Sequence, residues 1–387
     1  MVSLFKDIGS EHKDFYQAPE VVHIITGLNN GGAEGTLYRL CTHSESPKSL
    51  VISLSGEGLY ARKLHEMGVE VVCLNMQKKL FNILIGFLRL LIILIRSKPR
   101  VVQTWMYHAD LLGGIAARLV GIKRVYWGIR STFLPAFGTS RIVAQICAKL
   151  SKFVPHMIVC CAESALKEHV RLGYECNRMC VIDNGFEFSN LCPDIGLRNS
   201  FRKKIEIGPG ELVLGLVARF NSQKDHANLF HALQYLKKQD VAPTLILVGP
   251  GMEPDNLELL ELIAYYELEL RIELLGPQDD IALIMNGIDL HVMSSRSEGF
   301  PNVLVEAMAC GCPCVSTDVG AAAYILDNTG WLVPPEDPEA LGDAIKQALH
   351  QIYTENWPRR CNLVQESVRD RFNIEKMVTN YRNVWQL

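Results

Sequence analysis

The sequence predicts an α/β protein built from two doubly wound, Rossmann-like domains that face each other across a cleft. Its length of 387 residues suits two domains, at about 100 to 200 residues each. Short apolar runs alternate with helix-length amphipathic stretches, as in a parallel sheet covered on both faces. This alternation stops once in a polar segment and then starts again, which indicates a second sheet of the same kind.

Seven strands are predicted in the first half of the chain. Each consecutive pair is separated by enough residues for a crossover connection, and most of these connections are helical in pattern. The predicted strands are VVHII (21–25), SLVISL (49–54), VEVVCL (69–74), RVVQTW (100–105), RVYWGI (124–129), HMIVC (156–160) and MCVID (179–183).

The domain junction is predicted in the polar, irregular stretch from about residue 186 to 210. We therefore expect one domain over residues 1–190 and a second over 191–370, with the amphipathic residues 371–387 packing back on the first. The second domain is predicted to contain the strands LVLGLVA (212–218), PTLILVG (243–249), RIELLG (271–276), IDLHVM (288–293) and CPCVST (312–317). Ligands of open parallel sheets bind beyond the carboxyl ends of the strands, so loops from both domains are expected to line the cleft.

The charge balance argues against a nucleic-acid-binding protein. The chain carries 39 Lys and Arg against 42 Asp and Glu, so no global positive field exists to hold a nucleic-acid backbone. The twelve cysteines are dispersed and the N-terminus lacks the apolar stretch of a signal peptide, so we expect a cytoplasmic protein. Cys310, Cys312 and Cys314 lack partners at zinc-ligand spacing, which predicts small buried thiols rather than a metal site. We expect no metal and no cofactor.

The longest apolar run, residues 81–95, is shorter than the roughly 20 apolar residues that a membrane-spanning helix needs. Asn82 and Arg89 interrupt it, and the basic residues that flank it are Lys78, Lys79, Arg96, Lys98 and Arg100. Two interpretations remain open. The helix is either buried against the sheet, or it lies in the headgroup layer with its basic ends on anionic lipid.

A glycine turn follows the first predicted strand. Gly31 and Gly32 precede a helix that begins near Ala33, and such a turn lets backbone N–H groups approach an anion. An ordinary strand-to-helix turn explains the same residues. Glu34, in the first helical turn, complements the helix dipole in either case.

Two cations flank the polar turn after the strand at 212–218. Arg219 and Lys224 are placed to converge on one diphosphate, and they would stabilise it as its charge grows during departure. A solvated turn with a surface lysine is the alternative.

The strongest pattern is SRSEGFPNVLVEAMACGCPCVST, in which Glu298 and Glu306 are eight positions apart. Pro301 marks a helix start, so the helix is predicted from Asn302 to about Ala309. The N–H groups of residues 302–304 would then form an anion site, with Glu306 one turn away to accept hydrogen bonds from a ribose. A hydrolase with paired carboxylates is the competing interpretation, but it leaves the anion-binding elements unexplained.

The Glu298-to-Glu306 block resembles the retaining glycosyltransferases of family 4, which have the GT-B fold. The similarity extends from about residue 20 to 385. Supporting motifs are GGAE (31–34), HADLLGG (108–114), DNGFE (183–187), ARFNSQKDH (218–226), LVGPG (247–251) and LLG (274–276).

The resemblance implies a nucleotide-sugar donor held mainly by the second domain. Glu306 would hold the ribose, and Arg219 and Lys224 the diphosphate. Glu298 would contact the donor sugar together with a loop formed by Gly299, Phe300, Pro301 and Asn302. Gly31 and Gly32 would close over the diphosphate from the first domain.

The first domain is implied to bind the acceptor. His108 would lie near the transferred sugar, and Asn184 matches the family's Asn-Gly turn at the interdomain side. Two features of the first domain suggest a lipid-diphosphate-linked acceptor at the inner face of the cytoplasmic membrane. They are the Arg-containing loop from Arg130 to Arg141 and the apolar run 81–95.

The expected activity is therefore transfer of a hexose or N-acetylhexosamine, with retention, from a UDP-sugar to a glycan or lipid-linked acceptor in bacterial surface-polysaccharide assembly. No Asp-x-Asp motif is present to hold a divalent ion, which favours metal-independent transfer. The sequence departs from the family at three places. Ala321 and Ala322 stand where glycines are usual, and the acidic residue before Ile325 is missing. Gly35 stands where related sequences often carry Arg or a bulkier residue. A UDP-sugar epimerase of GT-B-like fold and an inactive carbohydrate-binding homologue remain alternatives.

Overall fold

Two parallel β-sheets, each covered by helices on both faces, form the core of the protein, which confirms the predicted fold class. The computed structural model describes residues 18–76, 80–132, 134, 137–239, 241–268 and 270–387. The first 17 residues, Lys78 and Lys79, and parts of the loop before Arg141 lie outside these ranges.

The first sheet has seven parallel strands in the order β3-β2-β1-β4-β5-β6-β7. All seven predicted strands are present, each within two residues of its predicted bounds. They are β1 (Val21–Ile25), β2 (Ser49–Ser53), β3 (Glu70–Cys73), β4 (Val101–Trp105), β5 (Val125–Ile129), β6 (Met157–Cys160) and β7 (Met179–Val181).

Helices connect these strands in sequence and cover both faces of the sheet. Leu37 and Leu64 pack on one face, whereas Leu90, Leu94 and Ala116 pack on the other. The helices are α1 (Gly32–Thr42), α2 (Leu59–Glu66), α3 (Leu80–Ser97), α4 (Tyr107–Leu119), α5 (Thr139–Leu150) and α6 (Glu163–Leu172).

The second sheet has six parallel strands in the order β10-β9-β8-β11-β12-β13. Five were predicted, and the edge strand β13 was missed. The strands are β8 (Val213–Val217), β9 (Thr244–Val248), β10 (Ile272–Leu274), β11 (Leu290–Met293), β12 (Cys314–Thr317) and β13 (Trp331–Val333).

The helices around this sheet follow the same alternation. They are α7 (Ile195–Lys204), α8 (His226–Lys237), α9 (Leu257–Tyr265), α10 (Ile281–Gly287), α11 (Asn302–Ala309), α12 (Ala322–Leu326), α13 (Pro338–Ile352) and α14 (Trp357–Arg369).

Helix α7 corrects the prediction that residues 186–210 are irregular. Asp194 caps it by accepting hydrogen bonds from the N–H groups of Gly196 (2.7 Å) and Leu197 (3.0 Å). Arg198 and Arg202 pair with the largely buried Asp289 of the second domain. The helix therefore depends on tertiary contacts that a polar sequence does not reveal.

The last helix, α15 (Ile374–Trp385), packs on the sheet of the first domain. Trp385 is fully buried there, and its indole N–H donates to Gln103 Oε1 of β4 over 3.0 Å. Phe186, near the end of the first domain, forms a parallel bridge with Asn373. Two chain segments therefore connect the domains at one place.

The winding of each sheet reverses beside its first strand, between β1 and β4 in one domain and between β8 and β11 in the other. Such reversals open a crevice at the carboxyl ends of the flanking strands. The chain after β1 leads to Gly31, after β4 to His108, after β8 to Arg219, and after β11 to Glu298. All four positions were singled out from the sequence.

The apolar run 81–95 lies in helix α3, which is buried on one side only. Leu90 and Leu94 face the sheet, whereas Phe81, Leu84 and Leu88 are each more than half exposed. In the described part of the chain, no helix is long and apolar enough to cross a membrane. Elsewhere, the thiols of Cys310, Cys312 and Cys314 are buried, as predicted, and form no disulfide.

Replacing Trp385 by alanine is expected to destabilise the first domain by about 3 to 5 kcal/mol, because the change empties a buried site and removes a hydrogen bond. Trp385→Phe, which keeps an aromatic ring, should cost less. Chemical denaturation followed by circular dichroism measures both effects. An equal loss in Tyr265→Ala, at an exposed tyrosine of the second domain, would contradict this assignment.

Candidate functional site

The glycine turn of the first domain meets the start of α11 in the second. Helix α1 begins at Gly32 after Gly31 in extended conformation. A Cβ atom on Gly32 would lie 3.4 Å from the Asn302 side-chain nitrogen. The two predicted anion-binding elements are therefore neighbours across the cleft.

The start of α11 is partly as predicted. The helix runs from Asn302 to Ala309 with Pro301 at the N-cap. However, the Leu304 N–H donates to the Pro301 carbonyl over 3.1 Å, so it does not point at the cleft as predicted. The N–H groups of Asn302 and Val303 are left for an anion, because the first turn of a helix offers them no carbonyl partner.

Asn184 joins the two domains at this point. Its side-chain Nδ2 donates to Asn302 Oδ1 over 2.7 Å, and its Oδ1 accepts a hydrogen bond from the Arg130 guanidinium. Asn184 is buried, and Arg130 also stacks on the Trp105 ring at 5.3 Å. The two residues implied to bind the acceptor thus contact each other and the donor-side helix.

Lys224 and Glu298 form an ion pair with a 2.5 Å distance between Nζ and Oε1. Ser295 donates to the same carboxylate oxygen over 2.7 Å, and Ser294 donates to the Lys224 carbonyl over 3.0 Å. These contacts fix the lysine near the carboxyl ends of β8 and β11. Its ammonium group has two further N–H donors for a ligand.

Arg219 is exposed and faces Glu34 of the first domain. Burial raises the pKa of Glu34, and the positive charges of Arg219 and Arg130 oppose that rise. A Cβ atom on Gly31 would collide with the Glu34 carboxylate, so this carboxylate lies against the glycine turn. Glu34 therefore occupies the space between cations of both domains, beyond the helix-dipole role expected from the sequence.

Glu306 is half-buried on α11 and faces a cation that sequence reasoning missed. Burial raises the pKa of Glu306, and Arg39 of the first domain lowers it. Arg39 is fixed by donating to the Gly185 carbonyl over 2.7 Å and by stacking at 4.4 Å on Phe186. Arg39 lies two helical turns after Gly32, and this spacing was the signal that could have identified it.

His108 lies in the first turn of α4, next to the cleft. Burial lowers the pKa of His108, so its imidazole is neutral at pH 7. Asp110, two residues on, fixes this end of the helix because its Oδ1 accepts from Thr104 Oγ1 (2.5 Å) and from the Gly128 N–H (3.2 Å). Sequence reasoning missed Asp110.

The loop before α11 presents its backbone, since the Phe300 ring turns inward to pack against Phe372 at 5.4 Å. A Cβ atom on Gly299 would lie 2.8 Å from the Arg130 carbonyl, so this loop contacts the first domain closely. Tyr324 occupies the position before Ile325 at which an acidic residue was expected from the family. Its hydroxyl donates to Asp183 over 3.1 Å. In the described ranges, no set of three or more His, Cys, Asp or Glu is arranged to hold a metal.

Comparison with known proteins gives a consistent match. Residues 211–351 match the protein family described as Glycosyl transferases group 1. N-acetyl-alpha-D-glucosaminyl L-malate synthase of Bacillus anthracis is 31% identical over 187 residues, covering 48% of each protein, so this chain spans about half the length of that relative. Putative glycosyltransferase EpsF of Bacillus subtilis is 26% identical, covering 77% of this chain and 79% of EpsF.

A third relative is UDP-Gal:alpha-D-GlcNAc-diphosphoundecaprenol alpha-1,3-galactosyltransferase of Escherichia coli, 24% identical over 75% of this chain and 76% of that protein. Among solved structures, Anabaena Alr3699/HepE in complex with UDP superposes with a TM-score of 0.82 at 20% identity, covering 95% of this chain and 99% of HepE. This likeness confirms the predicted GT-B arrangement of the two domains.

Asp110 is expected to make stability fall as the pH rises. Burial raises its pKa from 3.8 to about 8, and its second carboxylate oxygen has no hydrogen-bond partner among the described residues. Between these two values the native state binds more protons than the unfolded state, so raising the pH favours unfolding, by at most about 1.4 kcal/mol per pH unit.

Denaturation midpoints of wild type and Asp110→Asn between pH 5 and 8 test this expectation. The variant should lose stability less steeply than wild type, whereas Asp255→Asn, at an exposed aspartate, should follow wild type. Parallel curves for wild type and Asp110→Asn would show that Asp110 does not titrate as expected.

Proposed function

We propose that this chain, of which residues 211–351 match the group 1 glycosyl transferases, transfers a hexose or N-acetylhexosamine from a UDP-sugar to a glycan or lipid-diphosphate-linked acceptor in bacterial polysaccharide assembly. One observation carries the proposal. The glycine turn Gly31–Gly32, the start of α11 and the cations Arg219 and Lys224 surround one gap between the domains. A diphosphate leaving group matches that arrangement in charge.

In this proposal the second domain holds the donor. Glu306 accepts hydrogen bonds from the ribose hydroxyls, Arg219 and Lys224 bind the diphosphate, and Glu298 and the backbone of residues 299–302 contact the sugar. HepE, which shares the fold, has been solved in complex with UDP and with UDP-glucose, and this supports a uridine nucleotide here.

The reaction breaks the bond between the anomeric carbon and the β-phosphate oxygen, and the electron pair leaves with the diphosphate. Arg219, Lys224 and the N–H groups of Asn302 and Val303 stabilise the growing negative charge, a role that we assign to them in place of a divalent ion. The acceptor hydroxyl attacks the same face of the sugar, and its proton passes to the leaving phosphate. The configuration is thereby retained.

His108 and Asn184 are assigned to the acceptor side of the gap. His108, uncharged at pH 7, hydrogen-bonds a sugar hydroxyl rather than pairing with phosphate. Asn184 sets the distance between the domains through its contact with Asn302. Three curated relatives are named for diphospho-undecaprenol substrates, which supports a lipid-diphosphate acceptor.

A lipid-linked acceptor implies contact with the inner face of the cytoplasmic membrane, and α3 fits that role. Its outer side exposes Phe81, Leu84, Leu88 and Ile95. At its C-terminal end an open cavity of about 550 Å³ is lined by the basic residues Lys98, Arg100, Lys123 and Arg124. Anionic lipid surfaces bind helices that present apolar side chains beside basic ones.

Release of nucleotide from a panel of nucleotide sugars, with and without acceptor, tests the proposed activity. Transfer should release UDP and require an acceptor for full rate. Epimerisation of UDP-N-acetylhexosamine without acceptor would favour the epimerase instead. UDP binding without turnover of any donor would favour a carbohydrate-binding homologue.

Removing one charged donor contact should weaken UDP binding or turnover about tenfold or more. Lys224→Met and Glu306→Gln each remove a charge-assisted hydrogen bond, worth roughly 1.5 to 3 kcal/mol. Titration calorimetry with UDP and steady-state kinetics measure the effect. Lys204→Met, at an exposed lysine of α7, is the matched control and should behave as wild type. Unchanged UDP affinity in both variants would contradict the donor assignment.

Removing apolar surface from α3 should prevent membrane binding. Leu84→Ser together with Leu88→Ser is expected to abolish co-flotation with vesicles of anionic phospholipid, because both side chains are exposed and belong to the proposed contact. Leu257→Ser, at an exposed leucine of the second domain, should not affect flotation. If the wild-type protein stays at the bottom of the gradient, α3 has a packing role only.

A further inference from the structure

Two nitrogen atoms of the Arg130 guanidinium group are buried, and their three N–H groups are unused. Arg130 follows directly after β5, and it stacks on Trp105 and donates through Nη2 to Asn184. Its Nε and Nη1 atoms are inaccessible to solvent and have no acceptor anywhere in the described chain. Buried N–H donors in proteins are nearly always paired, so an acceptor is expected to enter from outside the chain.

No carboxylate of the described residues forms a direct ion pair with this cation, although Glu34 lies within its electrostatic influence. Among the described residues, Arg130 forms no ion pair within 4.0 Å, whereas Arg198 and Arg371 pair with aspartates and Arg39 donates to a carbonyl. Stacking on Trp105 stabilises the face of the guanidinium plane but leaves the N–H groups at its edge unsatisfied. A structural role alone therefore does not account for Arg130.

The position of Arg130 indicates what the missing acceptor is. The Glu298–Gly299 loop lies directly against its backbone, and Asn184 connects its side chain to Asn302 at the start of α11. Glu34 is under the influence of both Arg130 and Arg219, which approach it from opposite domains. Arg130 is thus beside the gap proposed for the diphosphate.

We propose that Arg130 binds a phosphate oxyanion of a substrate and is a cation that the first domain contributes to the site. This inference rests on the proposed function and extends it. Guanidinium groups bind phosphate through charge-assisted hydrogen bonds, and a buried one binds it with little competition from water. The oxyanion belongs either to the donor diphosphate or to the diphosphate of the lipid-linked acceptor.

Variants Arg130→Met and Arg130→Lys in the full-length protein test the proposal, with Arg62→Met, at an exposed arginine of the same domain, as control. Titration calorimetry compares uridine, UMP and UDP. If the donor supplies the oxyanion, Arg130→Met should weaken UDP binding at least tenfold and leave uridine binding unchanged. Arg130→Lys, which keeps the charge, should recover part of the loss.

If the acceptor supplies the oxyanion, UDP affinity should stay as in wild type. The KM for a diphosphate-linked acceptor should then rise at least tenfold in Arg130→Met, while the KM for the same glycan without phosphate stays constant. No change with any of these ligands in either variant would overturn the proposal. An equal loss for uridine, UMP and UDP would also overturn it, since this would indicate a structural defect.

Failure of the proposed function would be recognised separately, as absence of UDP binding by the wild-type protein. In that case inorganic pyrophosphate is the probe. Binding by wild type that is lost in Arg130→Met would support the phosphate site, and absence of binding by wild type would refute it.

Discussion

The two parallel sheets face each other with the carboxyl ends of their strands, and the remaining structure depends on this constraint. Each sheet reverses its winding next to its first strand, so the loops with unpaired backbone N–H groups gather on one side of each domain. Only where these two sides meet do Gly32 and Asn302 become neighbours. An anion in this gap would be surrounded from both domains, which neither domain achieves alone.

The cations around the gap between the domains keep unused N–H donors, whereas the carboxylates already lie near positive charges. This difference is why an anion is expected in the gap. Lys224 is paired with Glu298, and Glu34 lies between Arg219 and Arg130. Glu306 faces Arg39, which is tied to the segment linking the domains. The cations retain unused donor groups, above all on Arg130, whereas the carboxylates are already near positive charges. The site is therefore better suited to phosphate than to another cation.

Strands and site motifs were predictable from sequence because they depend on local order. Apolar runs such as residues 21–25 become central strands, and Pro301 fixes the start of α11 whatever surrounds it. Helix α7 was not predictable, since its polar sequence is held by Asp289, which lies far along the chain. The inward turn of the Phe300 ring, the proximity of Arg39 to Glu306 and the burial of two Arg130 nitrogen atoms likewise arise from packing between domains.

The most direct measurement is a crystal structure of the full chain with UDP. We predict the diphosphate between the domains, within hydrogen-bonding distance of Arg219, Lys224 and the backbone N–H groups at the start of α11, with the ribose on Glu306. A nucleotide bound outside this gap, or one whose phosphates touch none of these groups, would contradict it.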